Sequence, residues 1–282
     1  MIPPPSPEIL REAARRALEE DRGPGDITTQ IFVPAQSHAK ARIFAKERCV
    51  LAGLPVAEAV FREEDPSLRL TAEARDGDAL EPGATVLRIE GALHPLLVGE
   101  RPALNYLQRL SGIATLTRRF VDALAGTKTR LLDTRKTTPG LRHLEKYAVL
   151  CGGGTNHRTG LHDHFLVKDN HWTAFDPATL RERIAAARAL KPNALLEFEA
   201  DTLDQVRLLL KLDVDRILLD NMGLEEMETA VREAAGRVEL EASGNMTLAR
   251  VPAVGRTGVD FISVGALTHS ATAVDFSLEV LS

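Results

Sequence analysis

The chain has 282 residues, of which 44% are hydrophobic, and its formal net charge is −5. This length can bury a substantial core in one or two domains, whereas two cysteines are too few for a disulfide scaffold. The acidic balance argues against a nucleic-acid partner, and no apolar run reaches the roughly 18 residues of a membrane span, so we expect a cytoplasmic protein that acts on small molecules.

The N-terminal part of the chain predicts a mixture of helix and antiparallel strands. Ser6 and Pro7 form an N-cap and a first helical position, and the amphipathic segment behind them ends before Gly23. Short alternating runs over residues 39–46 and 69–90 then predict strands joined by tight turns.

The rest of the chain alternates short apolar runs with segments of helical period, after a long helix expected over residues 97–124. This alternation predicts parallel βα units. The six apolar runs cover residues 131–132, 165–167, 195–198, 217–219, 238–242 and 261–264. Because no GxGxxG motif follows a first strand, a barrel is favoured over an open dinucleotide-binding sheet.

Helix boundaries in this part follow from local signals. Asp176-Pro177 is expected to begin one helix, Thr202 and Gln205 have the spacing of a capping box, and Gly236 is expected to end a third helix. We therefore expect an α/β protein with an N-terminal α+β sandwich domain over residues 1–110. An incomplete TIM-type (β/α) barrel is expected over 111–267, followed by a C-terminal helix over 268–282.

Polar residues follow the apolar runs and would meet at the carboxyl ends of the strands. A local cationic cluster on an acidic chain indicates a small anionic substrate, since arginines suit planar carboxylates and lysines suit phosphate oxygens. The cationic residues are Arg135, Lys136, His157, Arg158 and Lys168.

Two further sets of residues predict a sugar-phosphate ligand. Glu199 and Asp220 end neighbouring strands, where carboxylates can bond sugar hydroxyls, hold Mg²⁺ or stabilise a cationic transition state. Backbone N–H groups after the last two strands of a barrel are a usual phosphate site. The positions concerned are Ser243, Gly244, Asn245, Val264, Gly265 and Ala266.

Each of these features also has an ordinary structural explanation. Glu197 and Glu199 share one side of a strand, so in a barrel interior they require partners and can be a purely structural ion pair. Asp220-Asn221 can equally be the N-cap of the next helix, and Ser243-Gly244 an ordinary turn.

Two motifs that suggest other chemistry receive little weight. His162 and His164 have the spacing of metal ligands, but no matching set of cysteines or histidines accompanies them. Cys151 lies beside glycines near His157, and a packing cysteine is favoured there over a thiol nucleophile.

Taken in order, the motifs resemble those of the quinolinate phosphoribosyltransferase family over nearly the whole chain. They are Glu20-Asp21, Gly25–Thr29, Glu100–Asn105, Asp133–Gly140, Gly152–Gly154, His157-Arg158, Lys168–His171, Glu197–Glu199, Leu219–Asn221, Glu241–Asn245 and Ile262–Ala266.

The resemblance implies a reaction in which quinolinate and phosphoribosyl pyrophosphate, with Mg²⁺, give nicotinate mononucleotide, pyrophosphate and CO₂. It also implies a homodimer or higher homo-oligomer, with Arg101 supplied by the neighbouring subunit, and a C-terminal helix that packs on the N-terminal domain. The residues implied for quinolinate are Arg101, Arg135, His157, Arg158 and Lys168. Those implied for phosphoribosyl pyrophosphate are Thr134, Lys136, Lys168, Glu199, Asp220, Ser243, Gly244, Asn245, Val264, Gly265 and Ala266.

The implied catalytic residues are Lys136, Glu199 and Asp220, and Mg²⁺ would be held through the pyrophosphate substrate near the two carboxylates. Two alternatives stay open. The chain can be a paralogue that acts on nicotinate or another acceptor, or a barrel that binds phosphosugars without turnover. The second alternative predicts loss of the catalytic residues, and all three are present.

Overall fold

A computed structural model describes residues 2–281, apart from the side chain of Pro177. Its helices are α1 (Pro7–Arg22), α2 (Ile27–Phe32), α3 (Leu54–Glu64), α4 (Leu93–Ala123), α5 (Arg142–Cys151), α6 (Asp169–Trp172), α7 (Leu180–Leu190), α8 (Leu203–Leu209), α9 (Leu224–Ala234), α10 (Val251–Arg256) and α11 (Ala266–His269). Its strands are β1 (His38–Ala45), β2 (Cys49–Val50), β3 (Arg69–Ala72), β4 (Ala79–Leu80), β5 (Thr85–Ala92), β6 (Arg130–Leu132), β7 (Phe165–Val167), β8 (Leu196–Ala200), β9 (Arg216–Asp220), β10 (Glu239–Ser243), β11 (Phe261–Ser263) and β12 (Phe276–Leu281).

The chain divides into two compact units. The first contains described residues 2–118, 137–153 and 267–281, and the second contains residues 119–136 and 154–266. None of the described helices combines the length and the hydropathy that a membrane span needs.

The first unit is built on an antiparallel sheet in the order β12-β1-β5-β3, with β2 and β4 paired separately. The alternation expected in this part of the sequence is confirmed, because inward residues of β1 and β5 such as Ile43, Leu87 and Ile89 are fully buried. They pack in one core with Phe61 of α3 and Phe276 of β12.

The second unit contains the six strands that the apolar runs predict, and they form one parallel sheet in the order β6-β11-β10-β9-β8-β7. The protein is therefore α/β, as expected. Within the described residues no strand ladder joins β7 to β6, so hydrogen bonds do not close the barrel. Because all six strands run the same way, their carboxyl ends lie at one edge of the sheet.

The expected C-terminal helix over residues 268–282 is wrong. Of the described residues 266–281, only Ala266–His269 is helical, and Phe276–Leu281 forms β12, which pairs antiparallel with β1 from Ala45↔Phe276 to Lys40↔Leu281. Phe276 and Val280 are strand-forming residues, and β12 adds its own backbone hydrogen bonds to an edge of the sheet.

Two predicted helix boundaries need adjustment by a few residues. Asp176 caps a 3₁₀ turn, accepting a hydrogen bond from the Ala178 N–H at 2.9 Å, and α7 itself starts only at Leu180. The last helical residue of α9 is Ala234, and Ala235 takes the left-handed conformation with φ 48° before Gly236. The Thr202–Gln205 capping box is confirmed at the start of α8.

Candidate active site

The structure brings Arg135, which follows β6, close to Arg158. Burial lowers the pKa of the Arg158 guanidinium below its ordinary value, and the positive charge of Arg135 lowers it further. An anion with more than one carboxylate can bind both guanidiniums and so offset the unfavourable effect of Arg135 on Arg158. Lys136 is exposed beside them, and its N–H donates to the Thr134 hydroxyl at 3.0 Å.

The loop that carries Arg158 is anchored to the end of β6. The Asp133 carboxylate is fully buried and its Oδ1 accepts a hydrogen bond from the His157 N–H at 2.8 Å. The Asp133 N–H donates to the Thr155 carbonyl at 3.1 Å, and the Thr155 N–H donates to the Leu131 carbonyl at 2.8 Å. These bonds run the segment Thr155–His157 alongside β6 and so position the following arginine.

The imidazole of His157 faces two buried carboxylates of the parallel sheet. Its Nε2 lies 3.1 Å from Glu197 Oε2 and 3.4 Å from Glu241 Oε2, and both glutamates have no exposed surface. The His164 Nε2 lies 2.8 Å from the same oxygen of Glu197. Burial acts to raise the pKa of Glu197, but the hydrogen bonds from His157 and His164 outweigh it and hold that pKa below its ordinary value.

Lys168, a further basic residue at the strand ends, is paired with a carboxylate. Lys168 follows β7, and its Nζ lies 3.6 Å from Glu199 Oε2 on β8. Burial raises the pKa of Glu199, Lys168 opposes this rise, and Asp220 adds to it. The Trp172 indole N–H donates to the Glu199 carbonyl at 2.9 Å, which fixes α6 against the end of β8.

Three carboxylates at this edge lie close enough to share a cation. One carboxylate oxygen from each of Glu199, Asp201 and Asp220 lies within 4.8 Å of the other two. Burial, together with Asp220, also raises the pKa of Asp201. Hard carboxylate oxygens that repel each other in this way fit Mg²⁺. Glu199 and Asp220 were predicted from the sequence and Asp201 was not, although its position two residues after Glu199 places it on the same side of the strand.

The segment after β10 has a backbone that few residues can adopt. Gly244 has φ 91° and Asn245 has φ 48°, and Asn221 after β9 has φ 55°. The Asn245 Nδ2 donates to Asn221 Oδ1 at 3.2 Å, and the Asn221 Nδ2 donates to Asp220 Oδ2 at 2.7 Å. The N-cap explanation for Asp220-Asn221 is wrong, because α9 is capped by Gly223.

Arg250 binds the backbone of this segment, a role that was not predicted from the sequence. Its Nη1 donates to the Gly244 carbonyl at 3.2 Å and its Nη2 donates to the Met222 carbonyl at 3.0 Å. With these two carbonyls occupied by Arg250, the turns after β9 and β10 are tied together. After β11, the Val264 N–H donates to the Leu132 carbonyl at 3.0 Å, so Gly265 and Ala266 follow directly at the same edge.

Other residues singled out in the sequence lie elsewhere or are inert. Arg101 is exposed on α4, in the first compact unit. His162 is exposed and is not a member of the cluster that contains His164. Burial raises the pKa of the Cys151 thiol to about 12, which agrees with a packing cysteine.

Comparison with known proteins identifies the family. The family described as "Quinolinate phosphoribosyl transferase, C-terminal domain" matches residues 113–279, and its N-terminal domain matches residues 26–111. The chain belongs to the quinolinate phosphoribosyltransferase family.

Two relatives and one solved structure show how far the similarity to this family extends. A probable nicotinate-nucleotide pyrophosphorylase (carboxylating) of Synechocystis sp. is 44% identical, over 94% of this chain and 90% of the relative. Quinolinate phosphoribosyltransferase (decarboxylating) 1b of Nicotiana tabacum is 40% identical, over 99% of this chain and 84% of the relative. The structure of the nicotinate-nucleotide pyrophosphorylase from Francisella tularensis superposes with a TM-score of 0.92 at 37% identity, covering 100% of this chain and 99% of that one.

Proposed function

We propose that this chain transfers the phosphoribosyl group of phosphoribosyl pyrophosphate to quinolinate, with decarboxylation, to give nicotinate mononucleotide, pyrophosphate and CO₂. The observation that carries the proposal is the closeness of the Arg135 charge to the half-buried Arg158 guanidinium, at the same edge of the sheet as the Lys168–Glu199 pair. A site with two adjacent guanidiniums and a lysine suits a dicarboxylate better than a monocarboxylate.

In this proposal quinolinate lies against Arg135, Arg158 and Lys168. His157 supports the site by accepting a hydrogen bond from the Arg158 N–H. Planar guanidiniums can each bond a carboxylate through two parallel hydrogen bonds, which fixes the orientation of the pyridine ring as well as its position. The pyridine nitrogen is thereby held toward the ribose carbon that it attacks, and such positioning supplies much of the rate when little acid-base chemistry is needed.

Phosphoribosyl pyrophosphate extends from Lys136 to the turns after β10 and β11. The turns at Ser243–Asn245 and Val264–Ala266 bind its 5′-phosphate through backbone N–H groups other than that of Val264, which donates to the Leu132 carbonyl. Lys136 and Thr134 bind toward its pyrophosphate. Glu199 and Asp220 lie beside the ribose, with Asp201 close to both. Mg²⁺ held near these carboxylates and the pyrophosphate would neutralise charge on the leaving group.

The bond changes need no further cofactor. The pyridine nitrogen forms a bond to C1′ of the ribose while the C1′–O bond breaks, and that electron pair leaves with pyrophosphate. Positive charge that develops on the ribose is stabilised by Glu199 and Asp220. The bond from the ring to the adjacent carboxylate then breaks, the ring carbon keeps the electron pair and takes up a proton, and CO₂ leaves.

The oligomeric state and the cellular compartment can be inferred as well. We infer a homodimer or higher homo-oligomer in which Arg101, exposed on α4, reaches the quinolinate of the neighbouring subunit. The two cysteines are buried and unpaired, which agrees with a reducing compartment, and we propose the cytoplasm. A non-catalytic phosphosugar-binding barrel does not account for the Lys168–Glu199 pair or the three clustered carboxylates.

The experiment is product formation by the purified protein with phosphoribosyl pyrophosphate, Mg²⁺ and either quinolinate or nicotinate. Nicotinate mononucleotide and CO₂ from quinolinate support the proposal. Product from nicotinate alone would replace it with the single-carboxylate alternative.

A further inference from the structure

We propose that His164 is a positioning residue of the quinolinate site. It acts through a chain of buried contacts from His164 to Glu197, from Glu197 to His157, and from His157 to the backbone of Arg158. The inference rests on the proposed function, since quinolinate is the ligand whose binding reports the position of Arg158.

The first link is the carboxylate that two imidazoles share. His164 immediately precedes β7, and its side chain is only 10% exposed. Its Nε2 lies 2.8 Å from Glu197 Oε2, and His157 Nε2 lies 3.1 Å from the same oxygen, with the two rings 4.8 Å apart. A carboxylate with no exposed surface needs such partners to stay charged.

The second link runs through both nitrogens of His157. The Nδ1 accepts a hydrogen bond from the Arg158 N–H at 2.7 Å, so the ring proton is on Nε2 and is directed at Glu197 and Glu241. The main chain of His157 is fixed by Asp133 at 2.8 Å. The imidazole therefore holds the peptide of Arg158, and we infer that His157 supports quinolinate binding through this arginine rather than by direct contact.

The cluster has little capacity to compensate for the loss of one imidazole. Among the described residues, Glu197 Oε1 and Glu241 Oε1 are buried without a hydrogen-bond partner. Glu241 is offset by Arg216, whose Nη1 lies 3.4 Å from its Oε2, whereas the two imidazoles are the partners of Glu197 Oε2. If His164 is removed, Glu197 Oε2 loses one of its two described imidazole partners, and its charge then draws the His157 ring toward it and away from the Arg158 N–H.

His157, His164 and Glu197 also have atoms close enough to hold a metal ion, all within 4.8 Å of one another. The bond from the Arg158 N–H argues against this use. A histidine that binds a metal through Nε2 normally donates from Nδ1, whereas His157 Nδ1 is an acceptor. We therefore infer a positioning role for this cluster rather than a metal site, and the test below includes a metal ion.

The test uses the whole purified protein and four variants. H164A and H164N remove the contact with Glu197, because an asparagine amide is shorter than the reach of Nε2, whereas the amide of H164Q can replace that nitrogen. H162A changes an exposed histidine two residues away and serves as the matched control. For each variant we would measure the KM of quinolinate, the KM of phosphoribosyl pyrophosphate, kcat, the direct binding of quinolinate and the melting temperature.

We expect H164A and H164N to raise the KM and Kd of quinolinate about ten-fold, with kcat and the other KM changed less than about two-fold. H164Q should recover most of the affinity, and H162A should equal the wild type. If H164A does not fold, the comparison of H164N with H164Q decides.

Unchanged quinolinate affinity in H164N, or an equal loss of affinity for both substrates, would contradict the proposal. Inhibition by micromolar Zn²⁺ that H164Q abolishes would also overturn it, because the cluster would then be a metal site. A wild-type protein that neither binds nor converts quinolinate would overturn the proposed function together with this inference. An active wild type with unchanged quinolinate affinity in H164N would overturn the inference alone.

Discussion

Lys168 Nζ lies 3.6 Å from Glu199 Oε2, where Lys168 directly follows β7 and Glu199 is the penultimate residue of the neighbouring strand β8. This contact joins the cations proposed for quinolinate to the carboxylates proposed for the ribose. Lys168 also counteracts the rise that burial causes in the pKa of Glu199. The nucleophile and the ribose carbon are expected to meet at this pair.

The carboxylates should act on turnover more than on quinolinate affinity. In E199Q and D220N we expect kcat to fall about a hundred-fold, because charge stabilisation of the ribose is lost in the transition state. The Kd of quinolinate, measured by calorimetry, should change less than about two-fold. D204N is the control, since the side chain of Asp204 is 91% exposed on α8. A large loss of quinolinate binding with normal kcat would mean that the two roles are misassigned.

Gly244 should be essential for the phosphate end of the site. Its φ is +91°, and a Cβ added there would lie 2.1 Å from Asn221 Oδ1. We expect G244A to raise the KM of phosphoribosyl pyrophosphate at least about ten-fold, because the turn after β10 must shift. G236A is the matched control, since Gly236 has φ +74° but open space where an added Cβ would lie. It should lose about 1 kcal/mol of stability and keep the wild-type KM. Equal KM values for the two variants would exclude this segment from the site.

Arg158 should destabilise the ligand-free protein while it binds substrate. Burial and Arg135 both lower the pKa of its guanidinium, so R158A is expected to melt no lower than the wild type in the absence of quinolinate. Its KM for quinolinate should rise about a hundred-fold, and R158K should recover little, because an ammonium cannot form two parallel bonds to a carboxylate. Differential scanning calorimetry measures the melting temperatures, and steady-state kinetics measures the KM of quinolinate. A strongly lowered melting temperature would instead assign Arg158 a structural role.

A shared site can be tested by mixing two inactive variants. R101A and R158A should each be inactive at low quinolinate concentration. If Arg101 serves the neighbouring subunit, dimers reassembled from equal amounts of both should regain about a quarter of the wild-type sites, because half of the dimers are mixed and each of these has one intact site. No recovery from a mixture whose subunits demonstrably exchange would contradict the shared site.

Asp163 should stabilise the loop after Arg158 at neutral pH and lose this contribution in acid. Burial acts to raise its pKa, but the N–H groups of Thr159 and Gly160 donate to its carboxylate, and the pKa is lowered to about 2. A depressed pKa stabilises the fold above the unfolded value near 3.8, and this contribution is lost as the pH falls toward 2. D163A should therefore melt about 3 °C below the wild type at pH 7, and the difference should narrow below about pH 4. A difference that is independent of pH would contradict this explanation.

Much of the second unit could be predicted because parallel strands buried on both faces are continuous apolar runs. Most of these runs are followed directly by a polar residue assigned to the site, as residues 165–167 are by Lys168 and residues 195–198 are by Glu199. The requirement that Glu197 be paired also followed from its alternation with Glu199.

The missed features depend on contacts distant in sequence. The partners of Glu197 are His157 and His164, which lie 40 and 33 positions away and come from a loop with no regular period. The β12 strand was missed because a short segment of mixed propensity takes its structure from its partner, here β1, more than from its own residues. Arg250 binds two carbonyl oxygens, and a sequence carries no sign of such contacts.

The most direct test of the account is the comparison of acceptors. Purified protein with phosphoribosyl pyrophosphate and Mg²⁺ should release CO₂ and nicotinate mononucleotide in equal amounts from quinolinate, and form no product from nicotinate. Turnover of nicotinate but not of quinolinate, or of neither acceptor by folded protein, would contradict the proposed function.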